Sequence, residues 1–394
     1  MSAIGAAEVS SLPQRSSRGS QAARPRIGIA GAGLAGRLLA WRLLRAGCAV
    51  DLFDAHARED RSSAGPTAAA MLSPTAELAA ADAQIHAWGV ESLAIWPQWL
   101  QELHEQTARE VYFRKEGTLV VAHAPDRGAL QHYAALLHAH LPPDAQGQAA
   151  QAVDAEHIAA LEPLLAGRFA QGLFLPQEGQ LANDQLYAAL AAALDAGLAA
   201  VGGAWHEGLA VDAVEPRALV DARGRRHAFD LAVDCRGVGA RVSLPGLHGV
   251  RGEVLTVFAP GLNLRRPVRL IHPRYAIYVA PRPGGQFVVG ATELDSDDAG
   301  APTLRSTLEL GSALYSLHPE FGEARVMRLA AALRPALPDH RPVAGLAPDG
   351  VWRINGLFRH GYLIAPALVQ QVAADISGAL GIAVPPSDSM FHAA

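Results

Sequence analysis

The sequence predicts a two-domain α/β chain, with a dinucleotide-binding domain of Rossmann type and a second domain rich in β-strands. Three observations carry that expectation. Arg26 to Asp54 reads as strand, glycine turn, helix, strand and terminal acid, the order a dinucleotide fold requires. Val250 to Glu293 is mostly β pattern, with RGEVLTVFA, PVRLIHPRYAIYVAPR and QFVVGATE set apart by turn residues. A length of 394 residues suits two domains or one large composite and can bury an ample core.

In chain order, residues 1–23 are rich in Ser, Gly, Ala, Gln and Arg without an apolar centre, which predicts a disordered tail rather than a secretory signal. Arg26–Ala30 alternates as a strand. It runs into Gly31-Ala32-Gly33-Leu34-Ala35-Gly36, after which Leu34, Leu38, Trp41 and Leu44 recur near helical spacing until Gly47. Gly31 permits the tight turn, Gly33 brings the backbone up to a pyrophosphate, and Gly36 lets helix pack on strand. The diphosphate then meets unpaired N–H groups at the positive end of a helix. Ala49–Phe53 is a second strand closing on Asp54, where a ribose-binding carboxylate is expected. A purely structural glycine turn shares the short motif; the complete ordered unit favours the dinucleotide.

The run Thr67 to Glu77, mostly small residues, suits a segment lying along a flat ligand, and equally a plain alanine helix. Trp88–Thr107 reads as an amphipathic helix interrupted by Pro97, and Val111–Val121 as paired strands about Glu116-Gly117. Helical character follows at 126–141 and 154–165, then a short strand at Gly172–Leu181. Asn183-Asp184 is a helix start for Gln185–Ala196. Strands return at Leu209–Val214, Ala218–Asp221 and Phe229–Asp234, the last ending in Cys235-Arg236-Gly237, a second glycine-marked point of approach for a cofactor. Beyond the β-rich stretch, Leu304–Leu317 is helical. Val351–Asn355 is a strand into Gly356, and a last helix runs from about Ile364 to Ser377 with Pro366 in its first turn and Gly378 as cap.

Composition excludes several classes. A net charge of −5 and pI near 6.3 argue against a nucleic-acid partner. The basic cluster Arg223, Arg225, Arg226 and His227 falls on a Gly224 turn and reads as a solvated hairpin tip. Cys48 and Cys235 lack any paired spacing, and the histidines show no ligand pattern, so no disulfide framework and no metal site are expected. The alanine-rich runs are broken by Asp, Glu, His or Gln, which argues against stable membrane insertion. A cytoplasmic protein is the expectation.

The ordered set Gly31–Gly36 with Asp54, Ala68–Glu77, Tyr278-Val279-Ala280-Pro281-Arg282 through Val289-Gly290-Ala291-Thr292-Glu293, and Leu333-Arg334-Pro335 through Phe358-Arg359-His360-Gly361 with Ala365-Pro366 resembles the D-amino-acid-oxidase-like flavoproteins. The likeness is strongest to their glycine oxidase branch, which serves thiamine thiazole synthesis. It implies a glutathione-reductase-like FAD domain assembled from residues 24–108, 152–247 and 328–394. A substrate domain with an antiparallel sheet would then come from 109–151 and 248–327. It also implies FAD extended from the first glycine motif to an isoalloxazine between the domains, and contacts from Gly31, Ala32, Gly33, Leu34, Ala35, Gly36, Asp54, Ala69, Ala70, Met71, Gly237, Gly356, Arg359, His360, Gly361, Tyr362 and Leu363. Asp54 stands where the family more often has glutamate, Ala70-Met71 replaces a usual Gly-Met, Asp234-Cys235-Arg236 replaces small residues before Gly237, and His360 replaces a common asparagine.

The resemblance also supplies the catalytic candidates. Arg334 matches the arginine that forks onto a substrate carboxylate, Tyr278 a hydroxyl that helps to grip it, and Arg359 another active-site arginine. His272, Tyr275 and His360 are lesser pocket candidates. The final helix would direct partial positive charge at the flavin N1 and C2 carbonyl. No cysteine follows Cys235, so dissociable FAD is expected. The implied reaction moves a hydride from the α-carbon of glycine, or another small amine or D-amino acid, to flavin N5, with molecular oxygen as acceptor and an imino acid and hydrogen peroxide as products. A D-amino-acid dehydrogenase feeding a quinone and a non-catalytic flavin-binding module are the alternatives; Arg334 pointing away from the flavin slot would mark the latter. Family likeness suggests a homo-oligomer.

Overall fold

The parallel core forms from short strands that are buried on both faces. A computed structural model describes residues 24–141, 146–272 and 276–382; the tail expected over 1–23 lies outside these residues. Arg26–Ala30 is the central strand, paired in parallel with Ala49–Phe53 on one side and Leu231–Asp234 on the other. Ala204–His206, Trp352–Asn355 and Val343–Leu346 extend this six-stranded sheet, the last pairing antiparallel. Ile27, Ile29, Val50, Leu52 and Val233 are fully buried, as strands covered on both faces require.

Three long helices cover the sheet. Leu34–Arg45 buries Leu38, Leu39, Trp41 and Leu43, while Gly361–Ala379 packs against it and against Ala83–Thr107. Pro97 does not interrupt that last helix, contrary to expectation. Trp96 and Trp99 on either side of it are buried against neighbouring elements, and this packing outweighs the local cost of a missing N–H, about 3 kcal/mol. The helix is capped by Asp82, whose carboxylate accepts from Gln84 N at 2.9 Å and Ile85 N at 3.0 Å.

Asn183–Val201 is long and apolar enough to cross a membrane by length and composition, yet Leu186, Leu190, Leu194 and Leu198 are spent on the core. Asn183 begins this helix but does not cap it. Its amide instead donates to Pro66 O at 3.0 Å and Ala68 O at 2.7 Å, tying down the small-residue segment.

The second sheet is nine-stranded and mostly antiparallel. Its order is Leu294–Asp295, His248–Phe258, Gln286–Gly290, Ile277–Arg282, Val268–Ile271, Thr118–Ala122, Gln171–Leu175 and Gln151–Asp154, with Arg325–Ala336 lying along the other edge of His248–Phe258. Leu304–Leu317 covers one face through Leu310, Ala313, Leu314 and Leu317.

Gln151–Asp154, Gln171–Leu175 and most of Arg325–Ala336 join this sheet, although a division at 152 and 328 assigns them to the first domain. Phe113–Arg114 and Thr118–Ala122 do not pair with each other as expected. The former joins a small sheet with Gly179–Leu181 and Met71–Leu72, and the latter pairs within the large sheet. A tight turn can serve two strands that separate into different sheets, and only the wider packing reveals which partner each edge finds.

The basic cluster is a hairpin tip as read: Ala218–Asp221 and Arg226–Ala228 pair antiparallel, with Asp221 accepting from Arg223 N and Arg225 N. Cys48 and Cys235 are free and buried, and among the described residues no group of side chains has a metal-binding arrangement.

Candidate active site

The glycines of the first turn are dictated by contact. A Cβ on Gly36 would lie 1.8 Å from Gly31 O, and one on Gly31, at φ +97°, would lie 2.4 Å from Cys235 O. Gly33 is different: a Cβ there meets nothing within 4 Å, so its open side faces the cavity. The helix that follows has no side-chain cap and no acid in its first turn, which leaves its N–H groups for an anion. Asp54 accepts from Ala32 N at 2.6 Å and His56 N at 2.8 Å, so one carboxylate links the glycine turn to the end of the second strand. These features fit the diphosphate and ribose of a dinucleotide.

A continuous cavity of about 1100 Å³ runs from this turn to the large sheet. Of the residues that the resemblance implies as cofactor contacts, Gly31, Ala32, Gly33, Leu34, Ala35, Asp54, Ala69, Ala70, Met71, Gly237, Arg359, His360, Gly361, Tyr362 and Leu363 line it. Gly36 and Gly356 do not. Gly36 acts behind the wall, by letting the helix touch the strand, and Gly356 is a turn at φ +71° packed on Leu337. The last helix begins at Gly361, three residues earlier than read, so Pro366 lies beyond its first turn and the end that faces the cavity is Gly361-Tyr362-Leu363.

At the inner end, sheet register brings the catalytic candidates together. Gly290 pairs with Tyr278, and a Cβ on Gly290 would lie 2.6 Å from the Tyr278 hydroxyl. Gly252, two strands from Tyr278, lies under the Arg334 guanidinium, whose atoms would be 2.2–2.7 Å from a Cβ there. The two glycines make a flat floor on which a cation and a phenol lie facing the cavity. Arg334 donates from both terminal nitrogens to Thr292 O at 3.1 Å, leaving three of its five N–H groups for a ligand. Burial lowers its pKa from the ordinary value, and burial raises that of Tyr278 against the opposing charge of Arg334, so the phenol stays protonated.

Arg359 reaches the same end by a different route. Its Nε is ion-paired with Glu77 at 2.9 Å and donates to His360 Nε2 at 3.5 Å, a terminal nitrogen donates to Glu293 at 3.0 Å, and Glu77 also pairs with Arg269 at 3.1 Å and contacts His360 Nε2 at 3.1 Å. Burial by itself would raise the Glu77 carboxyl; the His360 hydrogen bond and the charges of Arg359 and Arg269 overcome it and hold the group far below the usual carboxylate range. His360 is buried, with Nδ1 lacking a hydrogen-bond partner. His272 is not among the lining residues, and Tyr275 lies outside the described residues.

Sequence reading gave no role to Glu77, Arg269, Glu293, Gly252 or Arg282. Arg282 donates to Gln180 at 2.6 Å and also to Ala69 O, pinning the small-residue segment from behind, and burial lowers its pKa to about 10. Arg269 had a usable signal: it sits on the strand preceding Tyr278, and in antiparallel pairing the two are direct partners.

Residues 26–375 match the FAD dependent oxidoreductase family model. A Rhizobium etli protein bearing the name thiamine biosynthesis oxidoreductase ThiO is 39% identical over 350 residues, covering 88% of this chain and 95% of its own. The solved glycine oxidase of Geobacillus kaustophilus superposes with a TM-score of 0.74 at 23% identity, over 89% of this chain and 95% of that one. Iminodiacetate oxidase of Chelativorans sp. BNC1 also superposes with a TM-score of 0.74, at 22% identity over 90% and 95% of the two chains.

Proposed function

The chain belongs to the FAD dependent oxidoreductase family, and from that membership we propose that it oxidises glycine or another small amine or D-amino acid at the α-carbon. The observation that carries this reading is Arg334 and Tyr278 lying on the Gly252 and Gly290 floor, inside the cavity that begins at the glycine turn. When bound, FAD supplies the two-electron acceptor at N5 and the passage of electrons onward to oxygen.

The protein's own work is binding and orientation. Arg334 takes the substrate carboxylate through charge-assisted N–H bonds, and the protonated Tyr278 hydroxyl donates a further one. With the carboxylate fixed at the sheet, the α-carbon points back into the cavity, toward the wall where the final helix begins. That helix has no acid in its first turn, so its N-terminal N–H groups and dipole favour negative charge gained by the flavin. The cofactor is dissociable. No cysteine follows Cys235, which lies against Gly31 at the dinucleotide turn, and Cys48 is buried in the helical core. The name of the Rhizobium relative supports a place in thiamine biosynthesis; thiazole synthesis as the destination, and an imino acid and hydrogen peroxide as the products, complete the proposal.

Peroxide release in air from glycine, sarcosine, D-alanine and D-proline tests the reading. At least one should be turned over, and Arg334→Leu should raise its KM by the equivalent of roughly 2–3 kcal/mol while FAD stays bound. An unchanged KM sinks the role of Arg334. Flavin that is reduced by substrate but reoxidised by a quinone and not by air would make the enzyme a dehydrogenase.

A further inference from the structure

Three guanidiniums face the inner end of the cavity. Arg334 lies on the glycine floor, Arg269 stands beside Tyr278 on the neighbouring strand, and Arg359 enters from the turn before the final helix. Two carboxylates answer them: Glu77 engages Arg269 and Arg359, and Glu293 engages Arg359. Among the described residues, no carboxylate lies within ion-pair distance of Arg334, which donates to the neutral carbonyl of Thr292. This wall therefore has a single positive charge in excess, and it sits at Arg334. Glu178 and Arg282, of opposite sign, lie behind the wall and do not line the cavity.

An amino acid whose amine is neutral at the moment of hydride loss carries one negative charge, its carboxylate. That closes the balance. A second carboxylate would be left uncompensated where water is scarce, which is costly. Arg269 has donors to spare, since its Nε is buried without a partner, but its charge is already matched by Glu77.

We propose that Glu77 is a specificity-determining residue: by engaging Arg269 and Arg359 it confines the cavity's free cation to Arg334, and so restricts substrates to amines bearing one carboxylate. The inference rests on the amino-acid reading above and names the feature that selects within that class. The fold by itself makes no such choice, because glycine oxidase and iminodiacetate oxidase share it.

The test uses FAD-loaded enzyme and two inert probes, acetate and malonate, titrated against the flavin absorbance spectrum. Wild type should bind malonate no more tightly than acetate. Glu77→Gln should raise the malonate-to-acetate affinity ratio about tenfold, because it leaves Arg269 without a carboxylate while Arg359 keeps Glu293, and so frees a second positive charge for a second anion. Glu77→Asp keeps the charge and should leave the ratio within about threefold of wild type. Should Glu77→Gln fail to fold, Glu293→Gln removes the same charge from a side chain that is 47% exposed and should shift the ratio the same way, by a smaller factor. A ratio unchanged in whichever glutamine variant retains flavin overturns the proposal, as does an aspartate variant that shifts as far as the glutamine one. The readout does not need turnover: a shifted ratio in a protein that oxidises no amino acid would sink the oxidase reading while leaving the role of Glu77 in selecting anions of one carboxylate.

Discussion

Arg334 can lie flat against the sheet only because residue 252 has no side chain. A methyl group there would overlap the guanidinium, but the overlapped atoms are the far end of a flexible side chain, which can move without disturbing the strand. Gly252→Ala should therefore leave folding and FAD content intact and raise KM for the preferred substrate about tenfold, since a displaced guanidinium keeps its charge but loses its aim. Steady-state kinetics on flavin-replete protein checks this, and a lowered kcat at unchanged KM would contradict it. Tyr278 depends on Gly290 in the same way. These glycines were visible in the sequence as letters of a strand pattern, while their role appears only when register sets Gly290 opposite Tyr278 and brings the Arg334 side chain over Gly252.

The helix Leu34–Arg45 shows how one element divides its tasks between two glycines. Gly36 is needed for packing, as a Cβ would enter the carbonyl of Gly31, whereas Gly33 has open space before it and an extended backbone, φ −70° and ψ −170°, that alanine adopts freely. The two substitutions should separate accordingly. Gly36→Ala should lower the Tm of the FAD-free protein, because a backbone atom cannot yield cheaply. Gly33→Ala should leave that Tm unchanged and weaken FAD about tenfold, the methyl standing where the diphosphate approaches. Thermal melts of apoprotein with flavin titrations decide it; equal apoprotein Tm losses in both variants would refute the division. The final helix carries a related lesson. The sequence places its start near Ile364, with Pro366 in the first turn, yet the backbone turns helical at Gly361, where Tyr362, Leu363 and Ile364 pack into the core.

Across the whole molecule, the cavity is bounded by both sheets: the glycine turn and Asp54 come from the parallel sheet, Tyr278 and Arg334 from the antiparallel one. A ligand spanning it is bonded to both, so FAD should stabilise the chain as a unit. At a hundredfold excess over Kd the linkage contribution is about 2.7 kcal/mol. Adding FAD to apoprotein should accordingly raise Tm in a single cooperative transition. Two transitions, only one of them flavin-dependent, would show that the sheets unfold separately. The Arg325–Ala336 strand is the physical join, since it lies along His248–Phe258 for its full length before the chain returns to the parallel sheet.

Local sequence was sufficient wherever the cause is local. The alternation of Arg26–Ala30, the glycine turn, the helical spacing beyond it and the acid at Asp54 each depend on neighbours a few residues away, and the dinucleotide unit was legible for that reason. The positions of Arg334, Tyr278 and Arg359 were legible through resemblance, since the motifs around them are short and ordered. Strand partnership was not. Whether Phe113–Arg114 pairs with the strand that follows it or with Gly179–Leu181, and whether Gln171–Leu175 joins one sheet or the other, depends on edges contributed by distant segments. The same holds for Glu77, which meets Arg269, Arg359 and His360 from separate parts of the chain, 192 residues away in the nearest case. A pattern of residues records which face of a strand is buried; it holds no record of which remote charge will stand opposite, because that distance is set by how the two sheets close over the cavity.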